Sequence, residues 1–121
     1  MEARAPRPGV SVRGSVSGRP VMAALDLLGR RWTMRILWEL SQAPAGFREL
    51  QRRCERMSSS VLTTRLDELT GACLLTLQAD GYHLTRLGQD LVEALSPLDA
   101  WSRRWAKATG NVTTGGSEGL K

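Results

Sequence analysis

The residues best suited to specific polar contacts form a hydroxyl-rich row near the middle of the chain: Ser59, Ser60, Thr63 and Thr64. Positions three and four apart share one face of an α-helix, so these side chains would project together if the segment is helical. Hydroxyl groups donate and accept hydrogen bonds, and they can meet the base edges or phosphate oxygens of a nucleic acid. A serine at a helix start is also an ordinary N-cap, so the pattern alone leaves both interpretations open.

Arginines accompany the hydroxyl-rich row. Arg48, Arg52 and Arg53 precede it, and Arg65 lies within the same segment. The planar guanidinium group matches phosphate oxygens in a bidentate geometry, which predicts contacts that add affinity without sequence choice. The alternative is that these arginines belong to a solvated face and that Arg65 pairs with Asp67, Glu68 or another neighbour.

The net charge of +5 favours a polyanionic partner, but its distribution weakens that inference. Residues 1–19 hold four arginines against one glutamate, whereas residues 20–108 hold twelve basic and ten acidic side chains. The folded part is therefore only mildly basic. Any contact with DNA would depend on where individual arginines lie rather than on bulk charge.

Other chemistries find little support. Cys54, Cys73 and His83 are too few and too scattered for a metal site, and no acid–base pair, nucleophile–base pair or phosphate loop is visible. We therefore expect no catalytic residue, metal or cofactor, with both thiols buried or half-buried and His83 at the surface. No apolar run is long enough to span a membrane and no secretory signal is visible, so a cytoplasmic protein is expected.

Composition predicts three segments. Residues 1–19 are rich in Pro, Gly, Ser and Arg and show no periodicity, which predicts a disordered basic arm. Residues 20–108 carry the apolar periodicity of one folded domain, and residues 109–121 are predicted to form a flexible tail.

Four helices are predicted in the first part of the folded segment. They cover about residues 20–28, 31–41, a short stretch after 46, and 59–70, with Ser58 or Ser59 capping the last. The residues at helical spacing are, in order, Val21, Leu25 and Leu28; Trp32, Ile36, Leu37 and Leu40; Phe47, Leu50 and Cys54; and Val61 or Leu62 with Leu66 and Leu69. The solvent side of the third helix would carry Arg48, Glu49, Arg52 and Arg53.

A period of two then replaces the helical period. Asp80 and Gly81 form a typical two-residue hairpin turn, which would place Leu77 opposite Leu84 and Ala79 opposite Tyr82. The apolar side chains of both strands, Leu75, Leu77, Ala79, Tyr82 and Leu84, would then share one face.

A last helix, capped by Thr85, would present an apolar row: Leu91, Leu95, Leu98, Trp101 and Trp105. Pro97 should kink this helix or restart it near Ser96. The row either closes the domain's own core or forms the seam of a homodimer. A two-fold dimer would place two identical helices about one DNA turn apart and require a palindromic operator.

This order predicts a mainly α fold with a short β-hairpin, the winged helix-turn-helix plan, in which the helix over residues 59–70 would enter the major groove. The predicted wing is poor in cations. It offers Gln78, Asp80, Tyr82 and His83, and Asp80 would repel phosphate. The wing should therefore contact the DNA backbone weakly or not at all.

Several motifs resemble those of HxlR-type bacterial regulators. The first two segments of the family pattern resemble residues 25–33 (LDLLGRRWT) and 47–50 (FREL). The family's recognition helix resembles residues 59–69 (SSVLTTRLDEL), and its wing and last helix resemble residues 82–91 (YHLTRLGQDL). Trp101 falls where the family has a late tryptophan. The ordered resemblance spans about residues 20–105.

The resemblance implies a homodimer that represses or activates nearby genes, with dimer contacts from the first and last helices. The chain departs from the family pattern at three places. Many members carry a redox-sensing cysteine where this chain has Arg19, so thiol sensing at that site is excluded. The family's GGK triplet reads GRR at residues 29–31, and the wing loop is shortened to residues 78–81.

The sequence thus predicts a regulator that binds double-stranded DNA sequence-specifically as a homodimer on a palindromic operator. Two alternatives stay open. One is a winged-helix protein-interaction module that does not bind DNA. The other is a regulator that responds to a small-molecule effector at the dimer interface, beside Trp101, Trp105 and Met22.

Overall fold

The computed structural model describes residues 19–110, together with Pro6 and Pro8. Along these residues the elements are α1 (Pro20–Leu28), α2 (Thr33–Gln42), α3 (Phe47–Arg53), α4 (Ser59–Gly71), β1 (Leu75–Gln78), β2 (Gly81–Leu84), α5 (Arg86–Leu95) and α6 (Pro97–Ala108). This is a mainly helical, winged helix-turn-helix fold. The predicted arm and tail lie almost wholly outside the described residues. Within the described part, no helix combines the length and apolar character needed to cross a bilayer.

The chain separates into two compact units that divide within α5, one ending at Asp90 and the other beginning at Leu91. The first unit contains α1 to α4 and the hairpin, and therefore the helix pair α3–α4. The second contains the end of α5 and all of α6.

The core of the first unit is built from apolar side chains at helical spacing on α2, α3 and α4. Its fully buried aliphatic residues are Ile36, Leu37, Leu50, Leu62, Leu66 and Leu69. Burying one such side chain contributes roughly 1.5–3 kcal/mol. The predicted inward rows of α2 to α4 are confirmed for these residues, and Leu62 rather than Val61 is the buried member of its pair.

The predicted apolar face of α1 is not part of this core. Val21 is 56% exposed and Leu25 is 58% exposed, whereas Ala23 and Leu27 are buried. The helical period therefore predicted the helix correctly, but it did not predict which face of the helix packs against the core. The small Ala23 occupies the inward position, and the larger row remains at the surface of the described residues.

Helix α2 begins two residues later than predicted. Trp32 has a left-handed backbone with φ of 75°, so it precedes the helix and Thr33 takes the buried first position. A left-handed conformation costs a non-glycine residue about 1–2 kcal/mol. The turn ahead of α2 therefore needs tertiary contacts to hold it.

The turn between α3 and α4 is held by one side-chain amide. Gln51 Nε2 donates to the carbonyl oxygen of Met57 and to Ser59 Oγ, both at 3.1 Å. Ser58 then caps α4 by accepting from the Val61 N–H at 3.2 Å. One of the two predicted caps is thus confirmed, and the start of α4 is anchored to α3.

A buried carboxylate anchors α4 at its other end. Glu68 is 5% exposed; its Oε2 accepts from Arg30 Nη1 at 2.7 Å, and its Oε1 accepts from Arg65 Nη1 at 3.1 Å. Arg65 Nε also donates to the carbonyl oxygen of Arg31 at 2.7 Å. These charge-assisted bonds tie α4 to the turn between α1 and α2. We call the three side chains of Glu68, Arg30 and Arg65 the carboxylate clamp.

The hairpin forms, but its predicted register is wrong. Leu77 pairs with Tyr82 and Gln78 with Gly81, so the two-residue turn is Ala79-Asp80 rather than Asp80-Gly81. The alternation survives this shift, because both registers keep Leu77 and Tyr82 on one face. Leu77 is nevertheless 61% exposed, since it lies near the tip of the wing.

The cause of the shift is a contact that no local turn rule contains. The loop before α3 forms a bridge with β2, in which the Tyr82 N–H donates to the Ala45 carbonyl at 2.8 Å. Gly81 has φ of 125°, and a Cβ there would lie 2.6 Å from the carbonyl carbon of Ala45. The bridge therefore draws Gly81 out of the turn and into the strand.

The last two helices follow the prediction. Thr85 Oγ1 accepts from the Gly88 N–H at 3.0 Å and donates to the Cys73 carbonyl at 2.7 Å, so it caps α5 and holds the entry to the hairpin. Helix α5 ends at Leu95, and α6 restarts at Pro97.

Replacing Gly81 by Ala is expected to destabilise the first unit, because the added Cβ meets backbone atoms of the Ala45 loop. Strained glycine sites cost roughly 1–3 kcal/mol when substituted. Urea unfolding followed by circular dichroism measures the change. Gly71→Ala is the matched control, since nothing lies within 4 Å of its Cβ position. Equal stability of the two variants would contradict this account of the register.

Replacing Glu68 by Ala is expected to lower the free energy of unfolding by about 3 kcal/mol, because Arg30 and Arg65 would keep their charges without a partner. The same unfolding measurement applies. Glu93→Ala removes an exposed carboxylate from α5 and should change stability by less than about 0.5 kcal/mol. A Glu68 variant as stable as this control would show that the carboxylate clamp contributes nothing.

Candidate nucleic-acid interface

The hydroxyl-rich row lies on the open face of α4. Ser60, Thr63 and Thr64 are exposed, and the buried leucines of α4 occupy the opposite side of the helix. The described residues form no hydrogen bond with the hydroxyls of these three side chains. The face is therefore available to an external partner, with both donor and acceptor capacity unused.

Ser59 differs from its neighbours because its hydroxyl oxygen already accepts one hydrogen bond within the protein. Its Oγ accepts the hydrogen bond from Gln51, so the proton of its own hydroxyl stays available to donate. Ser59 is also the first residue of α4, where backbone N–H groups lack intrahelical acceptors and favour a negative group. Its chemistry suits a phosphate or base acceptor.

Two of the four predicted phosphate contacts are turned outward. Arg48 is exposed, and its guanidinium forms no ion pair within the described residues. The Arg52 side chain is 70% exposed but binds Glu49 through two hydrogen bonds, of 3.1 and 2.6 Å. Hydrogen bonds from Arg52 and Arg53 lower the pKa of Glu49, which therefore stays ionised and offsets part of the local positive charge.

Arg53 was predicted on the solvent side of α3, and this placement is wrong. Its side chain is 19% exposed, and Nη1 donates to the carbonyl oxygens of Glu39 at 3.2 Å and Ala43 at 2.9 Å. The carbonyl groups at a helix end lack intrahelical donors and attract a cation. The guanidinium thus secures the end of α2 to α3.

Arg65 is held inward in the same manner, by the Arg31 carbonyl and by Glu68. The acidic pairing that the sequence left open is the one observed. The carboxylate clamp could have been suspected from the helical wheel, because Arg65 and Glu68 are three residues apart on the flank of the leucine row. No local signal identifies Arg30 as the third member.

Arg31 is an exposed arginine that is not among the predicted phosphate contacts. It lines an open groove of about 570 Å³ together with Thr64 of the hydroxyl-rich row. Its guanidinium lies 5.5 Å from the centre of the Trp32 ring.

The wing tip carries an anion. His83 Nε2 lies 2.7 Å from Asp80 Oδ1, and this hydrogen bond lowers the pKa of Asp80. The Asp80 side chain is 73% exposed. An ionised carboxylate at this position opposes the approach of a phosphate.

The two cysteines occupy different environments. Cys54 is buried, and burial raises the pKa of its thiol, which favours the unreactive protonated form. Cys73 is exposed and has a left-handed backbone with φ of 68°, so the prediction of a buried or half-buried thiol is wrong for this residue. It lies in the turn between α4 and β1, where the chain reverses.

The apolar row of the last helices is exposed at its α6 end. Leu91 and Leu95 are half-buried, whereas Leu98 and Trp101 are each 46% exposed and Trp105 is 57% exposed. The two indole rings stack with centroids 5.4 Å apart and planes 14° apart. A rigid, exposed aromatic pair of this kind is typical of a protein interface.

Comparison with known proteins identifies the family. The model of the HxlR-like helix-turn-helix family matches residues 27–110. An HTH-type transcriptional regulator of Methanocaldococcus jannaschii is 25% identical over 91 residues, which are 72% of this chain and 86% of that protein. The HTH-type transcriptional regulator YvaP of Bacillus subtilis is 28% identical over 89 residues, with coverage of 68% and 82%.

The solved structure of quinone-bound YodB from Bacillus subtilis superposes with a TM-score of 0.66 at 30% identity, covering 69% of this chain and 96% of YodB. The matched family region includes α3, α4 and the hairpin, and therefore the whole helix-turn-helix. On this agreement of sequence, family model and fold, the chain belongs to the HxlR-like helix-turn-helix family of transcriptional regulators.

Proposed function

We propose that this regulator binds double-stranded DNA sequence-specifically, as a homodimer, with α4 in the major groove. The observation that carries the proposal is the open hydroxyl face of α4, whose opposite side is fixed by the leucine core and by Glu68. The major groove admits an α-helix and displays a distinct pattern of hydrogen-bonding groups for each base pair. A rigid helix with unused hydroxyls suits that pattern.

The side chains fall into two groups, those that would contact base edges and those that would contact phosphates. Ser60, Thr63 and Thr64 would contact base edges, and Ser59 would donate to a phosphate or a base at the start of the helix. Arg48 and Arg52 extend outward from α3, the helix that packs beside the start of α4, and would hold phosphates. Arg53 and Arg65 act inside the protein instead, because their donors are engaged by carbonyl oxygens and carboxylates.

A dimer would account for the exposed apolar surfaces. The second unit leaves the stacked pair Trp101 and Trp105 in solvent, and α1 of the first unit exposes Val21 and Leu25. Isolated exposed apolar residues are normal, but grouped tryptophans and leucines mark interaction sites. In a two-fold dimer the α6 seam would meet its own copy, and the two α4 helices would read the halves of an inverted repeat.

A small-molecule effector is the second candidate. YodB has been solved with a quinone bound, and this observation about a similar protein favours an effector here as well. The stacked tryptophans would report such a ligand directly, because an aromatic ligand beside them changes their emission. A fluorescence titration of the full chain with quinones tests this candidate.

Selection of bound fragments from random duplex DNA is expected to enrich an inverted repeat. On the selected operator, Thr63→Val and Thr64→Val should each lose about 1–3 kcal/mol of discrimination against unrelated DNA, because a donor–acceptor contact to a base edge disappears. Affinity for unrelated DNA should stay unchanged. Thr70→Val, an exposed threonine in the last turn of α4, is the matched control.

Two outcomes would contradict the proposal. If no sequence is enriched and binding to every duplex is absent at low salt, the chain is an interaction module rather than a DNA-binding regulator. If the Thr70 variant loses as much discrimination as the other two, the hydroxyl-rich row does not read bases.

The purified protein is expected to have twice the 13.3 kDa mass of one chain in light scattering. Changing both Trp101 and Trp105 to Ala should shift it towards monomer and weaken binding to the inverted repeat, because the aromatic seam is removed. Trp38→Ala removes a tryptophan that is also 57% exposed but lies on α2. A monomeric wild type, or equal loss of dimer in the control, would exclude the α6 seam.

A further inference from the structure

We propose that the groove between the α1–α2 turn and α4 receives a phosphate of the DNA backbone, and that Arg31 is the side chain that binds it. The inference rests on the proposed function and adds a backbone contact outside the helix pair α3–α4. On this flank of α4 the sequence predicts the phosphate contact from Arg65 instead.

The charges of the groove select Arg31 over its neighbours. The groove is lined by three arginines, Arg30, Arg31 and Arg65, and by two carboxylates, those of Asp26 and Glu68. Arg30 lies 2.7 Å from Glu68 and 3.4 Å from Asp26, and Arg65 is bonded to Glu68, so both carboxylates and two of the three cations are mutually satisfied. The charge of Arg31 remains uncompensated within the described residues.

The position of Arg31 is fixed from two directions. Arg65 Nε donates to its carbonyl oxygen at 2.7 Å, which ties the backbone of residue 31 directly to α4. Its guanidinium lies over the Trp32 ring in a cation–π arrangement, and the described residues accept no hydrogen bond from its N–H groups. The arginine is therefore preorganised before any ligand arrives.

The neighbour of Arg31 in the groove determines the ligand. Thr64 lines the same groove and belongs to the hydroxyl-rich row that would face base edges. A helix that lies in the major groove has the phosphates of the flanking strand beside it, and these phosphates take most protein–DNA hydrogen bonds. An arginine that lines the same groove as a base-reading threonine would therefore meet these phosphates. The openness of the groove to solvent suits a strand passing by it.

The experiment measures affinity against salt concentration for the full chain, on the selected operator and on an unrelated duplex of equal length. Arg31→Ala should weaken binding to both duplexes by a similar factor, about threefold to tenfold at moderate salt, and reduce the slope of log K against log salt by about 0.9. Arg31→Lys keeps the charge and should restore most of the slope. Lys107→Ala removes an equal charge from α6 and should leave the slope unchanged.

Each contrary result has a separate meaning. An unchanged slope in Arg31→Ala, with sequence discrimination still dependent on Thr63, overturns the Arg31 contact and leaves the proposed function intact. Absence of any DNA binding by the wild type removes both. Unfolding curves verify that each variant is folded, and Arg31→Gln replaces the alanine variant if that one is not.

A free anion is the remaining occupant to exclude. Inorganic phosphate at a few millimolar, added at constant ionic strength, should not displace the operator from the wild type. Binding of inorganic phosphate to the wild type but not to Arg31→Ala, with operator affinity equal in the two proteins, would show that the groove takes a small anion rather than the DNA backbone, and it would overturn the proposal.

Discussion

A carboxylate enclosed by protein must be accompanied by cations, and in this regulator that requirement governs the position of α4. Glu68 extends from α4 into the first unit, where an unpaired charge would be costly. Arg30 approaches it from the α1–α2 turn and Arg65 from one turn earlier on α4 itself. Rotating or sliding α4 would break the bond from Arg30 to Glu68 and the bond from Arg65 to the carbonyl oxygen of Arg31. The leucine core resists separation of the helices, and the carboxylate clamp adds the orientation that a hydrophobic surface alone does not specify.

The carboxylate clamp also explains how a mildly basic domain can serve a polyanionic partner. Some of its arginines bind groups within the protein: Arg53 closes the end of α2, and Arg65 holds the backbone of residue 31. Among the exposed arginines, Arg48 lies on α3, and Arg31 lies in the turn that Arg65 ties to α4. The net charge is thus a poor guide to which residues can contact a polyanion. An arginine binds carbonyl or carboxylate groups of the protein at one position and faces solvent at another.

Local rules were sufficient for most of the fold. Apolar periodicity located the helices, Ser58 and Thr85 supplied the caps, and Pro97 separated α5 from α6, because each of these effects acts within one or two turns of chain. The hydroxyl-rich row was recognisable for the same reason: once the leucines of α4 are assigned inward, the helical period alone turns Thr63 and Thr64 outward. These features needed no knowledge of distant residues.

The tertiary structure decided what depends on residues far apart in sequence. Arg30 and Glu68 are 38 positions apart, so no periodicity reveals their pairing, and without it the orientation of α4 cannot be foreseen. The hairpin register depends on the bridge between Ala45 and Tyr82 and on the close approach of Ala45 to Gly81. These contacts outweigh the strong local preference of Asp80-Gly81 for a turn. Sequence by itself determined which segments are helix or strand and which residue types face outward on α4. Packing determined which arginines hold the protein together, because a guanidinium goes to whichever carbonyl or carboxylate the fold brings within reach.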